Sequence, residues 1–414
     1  MIILQGELNG MEGANQASFY NTSAKLEMIM AVFIGIGICL VRLATAASQT
    51  ALVLATILAF YLWWRNGRQL VLNQDAKRYI KVVGIWFLVS FFSILDVDNK
   101  MAVIHYFMGD WVWRFMVFVL IVAFVHRRKY LLRILAAFLC VFSIDCFLSC
   151  YQFFVLHWSR GRGFHGDYLD LTAIICMVLV MSAIILMDGH FGENSEKFAV
   201  IGLLSSIAGL FGCFGRGAFL VSALVAPFYL YHYLRHSKKK AAVILTILCL
   251  LGGTLLNSPK YMTRLSTTLN MTTNTSNVDR IWAWRASIDM FKEHPINGVG
   301  LDNWEWYYKN GGYKYAEESQ NLPHAHSNYM QLLAETGTIG FLGLLYFYRF
   351  SLIVPFKRWI KEHNPCDLIF FTVFLAGMVL FGVFQPTYRL SSVIRTLWFI
   401  LAIMIQLRSS IREE

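Results

Sequence analysis

"FMVFVLIVAFVHRRKYLLRILAAFLCVF", residues 115–142, places two apolar runs on either side of the cationic knot "HRRKYLLR" at 126–133. An uncharged stretch of roughly 18 or more residues spans a bilayer as a helix, and positive charge collects in the connectors that stay inside. The same alternation recurs along the chain, in apolar blocks of 15 to 25 residues. The 414 residues are 57% hydrophobic and 15% charged, whereas a soluble chain carries about a quarter charged residues. A membrane β-barrel would alternate in segments of about ten residues. The pattern therefore predicts an all-α polytopic membrane protein.

Reading apolar blocks between charge clusters gives about twelve transmembrane helices, near 28–46, 48–64, 79–95, 105–125, 132–156, 168–187, 198–214, 217–234, 241–256, 329–354, 368–385 and 391–407. The basic clusters at 65–81, 126–133, 235–240, 357–361 and 408–412 then fall on one side. With Lys25 and Lys197, that side holds 20 of the 36 Lys and Arg, while the short opposite connectors hold six, Lys100, Arg160, Arg162, Arg216, Arg389 and Arg395. Both termini are expected in the cytoplasm. The first 25 residues lack an early apolar core and read as a cytoplasmic tail, not a cleaved leader. The net charge of +11 is accounted for by this asymmetry and calls for no nucleic acid. Seven of the eight cysteines lie in apolar runs, where they read as small apolar fillers with no disulfide framework.

Three parts follow: an N-terminal transmembrane bundle of about nine spans (1–256), one large external loop (257–328), and a C-terminal bundle of about three spans (329–414). The loop alone is long enough to fold outside the membrane. Within it, Ile281, Trp284, Ile288 and Phe291 recur at helical spacing until Pro295. Arg280 and Trp284 share a face of that helix, and Arg285 points about 180° from Arg280. The alternative reading is an interfacial helix with Trp and Arg at headgroup level. Arg264, earlier in the loop, is a possible substitute for Arg280.

Two further stretches carry candidate chemistry. "GRGAFL", 215–220, sets Arg216 between glycines at a helix turn, where a guanidinium can fork onto a phosphate or snorkel to headgroups. "HAHSNYMQLLAETGTIGF", 324–341, puts His324 and His326 just before a span and Asn328, Tyr329 and Gln331 at its start. An imidazole there can serve as a general base. Arg42 and Arg114 lie inside expected spans and need partners such as Asp145 or Asp170. Asp96 and Asp98 form a "DVD" pair that could hold a divalent metal, although two carboxylates alone more simply read as solvated. No phosphate-binding loop, zinc spacing or nucleophile elbow occurs.

Together, "GRGAFL", "DRIWAWRASIDMFKEHPINGVGLDNW" (279–304), "HAHSNYMQLLAETGTIGF" and the span plan resemble the O-antigen ligase and polymerase family, bacterial inner-membrane glycosyltransferases of the GT-C type. The likeness is best over about 200–345. The family has asparagine directly after its histidine, whereas here Ser327 follows His326 and Asn328 comes one later. The resemblance implies an inverting transfer of glycan from an undecaprenyl diphosphate carrier to the lipid A-core, on the periplasmic face. It also implies catalytic roles for His326, Arg280 and Arg216, and substrate contacts from Arg285, Trp284, Asn328, His324, Tyr329 and Gln331. No metal and no cofactor are expected; the expected partners are the lipid-linked donor, the lipid A-core acceptor and membrane lipids. A repeat-unit polymerase is the near alternative. A lipid-linked sugar transporter would require inverted repeats, which the sequence does not display.

Overall fold

A computed structural model of the chain describes residues 24–411 apart from 96, 98, most of 237–258, 267–274 and 316–320. The described residues are helical, without strands. In chain order the helices are α1 (24–39), α2 (Thr45–Arg65), α3 (Gln74–Phe91), α4 (Lys100–Phe124), α5 (Arg128–Phe154), α6 (Tyr168–Met187) and α7 (Glu193–Cys213). They continue with α8 (Arg216–His236), α9 (Pro259–Ser266), α10 (Thr275–Glu293), α11 (Trp304–Asn310), α12 (Asn328–Glu362), α13 (Pro365–Val383) and α14 (Ser391–Ile411). Among the described residues, eight helices are long and apolar enough to cross a bilayer: α2, α4, α5, α6, α7, α12, α13 and α14.

A helix occupies each expected span except 241–256, most of which lies outside the described residues. One boundary moves with consequence. The first expected span, 28–46, ends as a helix at residue 39, so Arg42 sits in the connector to α2 and not inside a span. Its Nε donates to Asp145 of α5 at 2.6 Å, and both groups are buried. Arg114 stays within α4; it pairs with Asp110 one turn earlier and donates to the carbonyl of Arg389 at 2.6 Å. The other partner considered, Asp170, instead accepts from Ser392 of α14 at 2.8 Å. A buried cation without such partners would be costly in lipid.

The buried centre is built by α6, α13 and α14, each apolar around most of its circumference. In water such helices would be core elements; in a bilayer they are spans enclosed by other spans. The neighbouring layers follow from direct packing of α5 and α6 on α7, of α3 on α12, and of α4 on α14. Small residues permit the closest approaches. A Cβ on Gly209 of α7 would lie 2.8 Å from Cys146 Sγ of α5, and one on Gly377 of α13 would lie 2.5 Å from Met177 Sδ of α6.

The helix ends are closed by local chemistry. Asn73 caps α3 by accepting from the Ala76 N–H at 2.7 Å, and Asn364 with Pro365 starts α13. At one end of the bundle Arg408 of α14 reaches Asp367 (2.7 Å), Glu362 (2.8 Å) and Asp75 (3.0 Å), while Arg358 holds Asp75 at 2.7 Å. This network joins the ends of α3, α12, α13 and α14. The candidate site lies elsewhere, where α10 and its following turn pack against α12.

Candidate active site

The site begins with a helix that is broken and mended. At Gly337 the backbone of α12 turns to φ 58°, ψ −159°, outside helical values. The turn following α10, which ends before Pro295, supplies the missing partners. Val299 N–H donates to Ala334 O at 2.9 Å, Gly300 N–H to Glu335 O at 2.9 Å, and Thr338 N–H to Pro295 O at 2.8 Å. Backbone groups at a helix break must be satisfied by neighbours when water is scarce. The fit leaves no room for side chains: a Cβ on Gly298 would lie 2.4 Å from the Glu335 carbonyl carbon, and one on Gly337 would lie 2.4 Å from Ile296 O. "HPINGVG" and "ETGTIG" are thus two halves of one joint. The joint fixes α10, which carries Arg280, against α12, whose start carries the histidines.

His326 adopts φ 52°, a left-handed backbone that non-glycine residues rarely hold. Its N–H donates to His324 Nδ1 at 3.2 Å, and the two rings stand 4.2 Å apart between centroids at 73°. The Gln385 side-chain amide lies 3.4 Å from His326 Nδ1. No protein partner is recorded for Nε2 among the described residues. Burial pushes His326 down to about 4; the nearby Arg280 charge works the same way and Gln385 opposes both. Burial, His326 and Arg389 hold His324 lower still, at about 3. Both rings are therefore neutral at pH 7.

Beside them lies Arg280, which in turn feels the charges of Arg216 and Arg160. Arg280 is tied back by Nη1 to Ser276 Oγ at 3.1 Å and Ser276 O at 3.2 Å, while its buried Nε has no hydrogen-bond partner among the described residues. Burial lowers the Arg280 pKa, Tyr168 acts against this, and the charges of Arg216 and Arg160 lower it further. Arg160 stands 4.1 Å over the Tyr168 ring. Arg216 opens α8, one residue after the turn from α7. Neighbouring guanidinium groups of this kind have the chemistry to hold a multiply charged anion.

The sequence reading missed Arg160 as a site residue because it stood in an apparently solvated connector. The structure pins that connector to the bundle. Asp145 Oδ1 accepts from the Phe164 N–H at 2.6 Å, Gln152 Oε1 accepts from the N–H groups of Arg162 (2.7 Å) and Gly163 (2.9 Å), and Arg42 donates to Arg162 O at 2.7 Å. The glycines around Arg216 are called for by packing. A Cβ on Gly215 would lie 2.7 Å from Thr172, and one on Gly217 would lie 3.3 Å from Phe384. Protein packing fills the space beside them.

Other expected contacts face elsewhere. Arg285 is exposed, 5.1 Å over the Trp282 ring, and Trp282 stacks on Tyr315 at 5.5 Å. Trp284 packs into the small core beneath α10, and its Nε1 lacks a hydrogen-bond partner among the described residues. Asn328 is fully buried and donates to Thr387 Oγ1 (2.8 Å), Met378 O (2.9 Å) and Tyr348 Oη (3.2 Å). Tyr329 donates to Val379 O at 3.0 Å. Gln331 accepts from the Ala325 N–H at 2.6 Å and donates to Glu335 at 2.7 Å. These three tie the histidine loop to the protein. Asp96 and Asp98 lie outside the described residues, as does the side chain of Arg264. Among the described residues no group of three or more His, Cys, Asp or Glu could hold a metal ion.

Residues 201–345 match the family model of O-antigen ligases. The match runs from α7 through the first half of α12 and includes Arg216, Arg280, His324, His326 and both halves of the glycine joint. No curated protein matches the chain.

Proposed function

We propose that the protein is a membrane glycosyltransferase that moves O-antigen polysaccharide from undecaprenyl diphosphate to the lipid A-core, on the periplasmic face of the bacterial inner membrane. The observation that carries this reading is Arg280, which lies near enough to the neutral His326 to lower its pKa and is itself influenced by the charges of Arg216 and Arg160. The family match, which covers Arg216, Arg280 and His326, supports an O-antigen substrate.

The roles follow from charge. Departure of the carrier diphosphate from the anomeric carbon leaves negative charge on its oxygens. Arg280, Arg216 and Arg160 offer preorganised donors for that charge. The attacking hydroxyl must lose its proton. His326, neutral and with Nε2 open, accepts it, a role worth about 10²–10⁴ in rate. A single displacement inverts the anomeric centre. His324 fixes the loop of His326 and is not needed as a second base.

The deciding assay uses full-length protein with carrier-linked glycan and lipid A-core. His326→Ala and Arg280→Ala should each abolish the glycosidic product while the protein remains in the membrane. Near-normal transfer by both would remove these roles. In cells, deletion should leave polymer on the carrier and none on lipid A-core. Single repeats still attached to lipid A-core would instead identify a polymerase, and carrier movement without product would identify a transporter.

A further inference from the structure

The sequence placed Arg389 in a short outer connector, with no task beyond its charge. In the structure it closes a chain of side chains that ends at the catalytic loop. Its Nη2 donates to Asp302 Oδ1 at 2.6 Å and its Nη1 to Glu335 Oε1 at 3.1 Å. Asp302 belongs to the turn just after the glycine joint, and Glu335, with no exposed surface, lies on α12 beside the break. Glu335 also accepts from Gln331 Nε2 at 2.7 Å and from Tyr388 Oη at 3.1 Å. Gln331 in turn accepts the N–H of Ala325, the residue between the two histidines, at 2.6 Å.

We propose that Arg389 is a positioning residue: clamped between Asp302 and Glu335, it stiffens the Glu335–Gln331 strut from which the His324–His326 backbone hangs, and so sets where the His326 ring stands. This rests on the glycan-transfer reading above.

Two physical arguments support it. A carboxylate buried as completely as Glu335 is strongly destabilising once its cation is removed, so without Arg389 the strut must rearrange. A left-handed backbone at a histidine persists only where surrounding contacts over-determine it. At His326 those contacts are the Ala325–Gln331 bond and the Ser327 cap, whose Oγ accepts the Tyr329 N–H at 3.3 Å. Arg389 is itself held: its guanidinium lies 5.3 Å over the Tyr106 ring and its carbonyl accepts from Arg114. With both terminal nitrogens engaged by carboxylates, Arg389 differs from Arg280, whose Nε remains available to an anion.

The test compares wild type, Arg389→Gln and Arg389→Lys as full-length protein in lipid nanodiscs. Two quantities are measured: affinity for undecaprenyl diphosphate alone, and kcat and KM for transfer from carrier-linked glycan to lipid A-core. Misplacing a catalytic group by about 1 Å costs roughly 10²-fold, so Arg389→Gln should lose about 10–100-fold in kcat. Carrier binding and donor KM should change by less than about threefold, as for an interaction made only in the transition state. Arg389→Lys, which keeps the charge, should recover most of the loss. Wild-type protein that neither binds the carrier nor transfers glycan would overturn the ligase reading itself. With wild type active, an unimpaired Arg389→Gln would overturn the positioning role. So would a parallel loss of carrier binding and kcat in both variants.

Discussion

The imidazole of His326 is useful as a base only while it is unprotonated. Burial first, and the Arg280 charge second, bring its pKa down to about 4 in the free protein, so the neutral form dominates across pH 5–8. For a group with a lowered pKa the working form is lost as pH falls through that value. Plots of kcat/KM, which report the free enzyme, should stay level down to about pH 5 and fall only towards 4. Bound diphosphate offsets the Arg280 charge and favours imidazolium. The acid limb in kcat should therefore sit higher than the limb in kcat/KM. An acid limb of kcat/KM near the ordinary histidine value would contradict the buried setting of His326.

Arginines divide at the same scale. A charge-assisted hydrogen bond contributes about 1.5–3 kcal/mol, so Arg160→Ala should raise the donor KM by roughly 10–100-fold. Arg285→Ala, at an exposed position over Trp282, should leave transfer nearly unchanged. Equal effects of the two substitutions, measured as donor KM, would argue against the Arg160–Arg216–Arg280 cluster. Five residues along a helix turn the chain by about 140°, which sets Arg285 away from Arg280. Sequence spacing did not see Arg160, because the ties that fold residues 160–164 onto the bundle are side-chain bonds from Asp145 and Gln152 of α5 and from Arg42, far back along the chain. The inward turn of Asn328, Tyr329 and Gln331 was equally hidden. The start of α12 is enclosed on several sides, so no amphipathic stripe marks one face as a substrate face.

At the scale of elements, the joint between the 295–300 turn and α12 decides whether the site is assembled. "NGVG" reads as a tight turn from sequence, and "GTIG" as small residues in a span. Nothing local states that one repairs the other. The comparison to make is Gly298→Ala or Gly337→Ala against Gly312→Ala. All three glycines have positive φ (71°, 58° and 81°), so each alanine bears backbone strain of about 1–3 kcal/mol. At Gly298 and Gly337 the added methyl also meets backbone at 2.4 Å, whereas Gly312 has nothing within 4 Å. Thermal unfolding of detergent-solubilised protein should show a much larger loss at the two joint positions, with transfer activity lost below the unfolding temperature. Three similar midpoints would mean that the joint is not a determinant of assembly. Arg42 teaches a related lesson. Sequence required it to have a partner and offered Asp145 or Asp170; only packing of the α1–α2 connector against α5 selects Asp145.

For the whole molecule, charge placement makes the strongest statement. The Arg408–Asp75–Arg358–Asp367–Glu362 network ties one end of α3, α12, α13 and α14. The histidine and arginine cluster lies at the opposite end of α12, beyond the Gly337 break. Those two ends of α12 must face different compartments if the helix crosses the bilayer, as its length and hydropathy permit. Basic residues are retained on the cytoplasmic side, so the end with Lys357, Arg358, Lys361 and Arg408 is expected in the cytoplasm and the site in the periplasm. The eight apolar helices were legible in the sequence because apolar run length alone identifies them. α3 was legible as a helix yet falls outside those eight, because its first turns carry Asp75, Lys77, Arg78 and Lys81. Topology reporters can decide the orientation. A phosphatase that is active only outside the cytoplasm, inserted after the exposed Gly312, should be active, and the same enzyme fused after Glu414 should be silent. The reverse pattern would put the guanidinium cluster on the cytoplasmic side, away from a periplasmic acceptor. Activity at both positions would show that the chain crosses an even number of times between the two points, not the three times that α12, α13 and α14 allow, and the bundle would need a different count of spans.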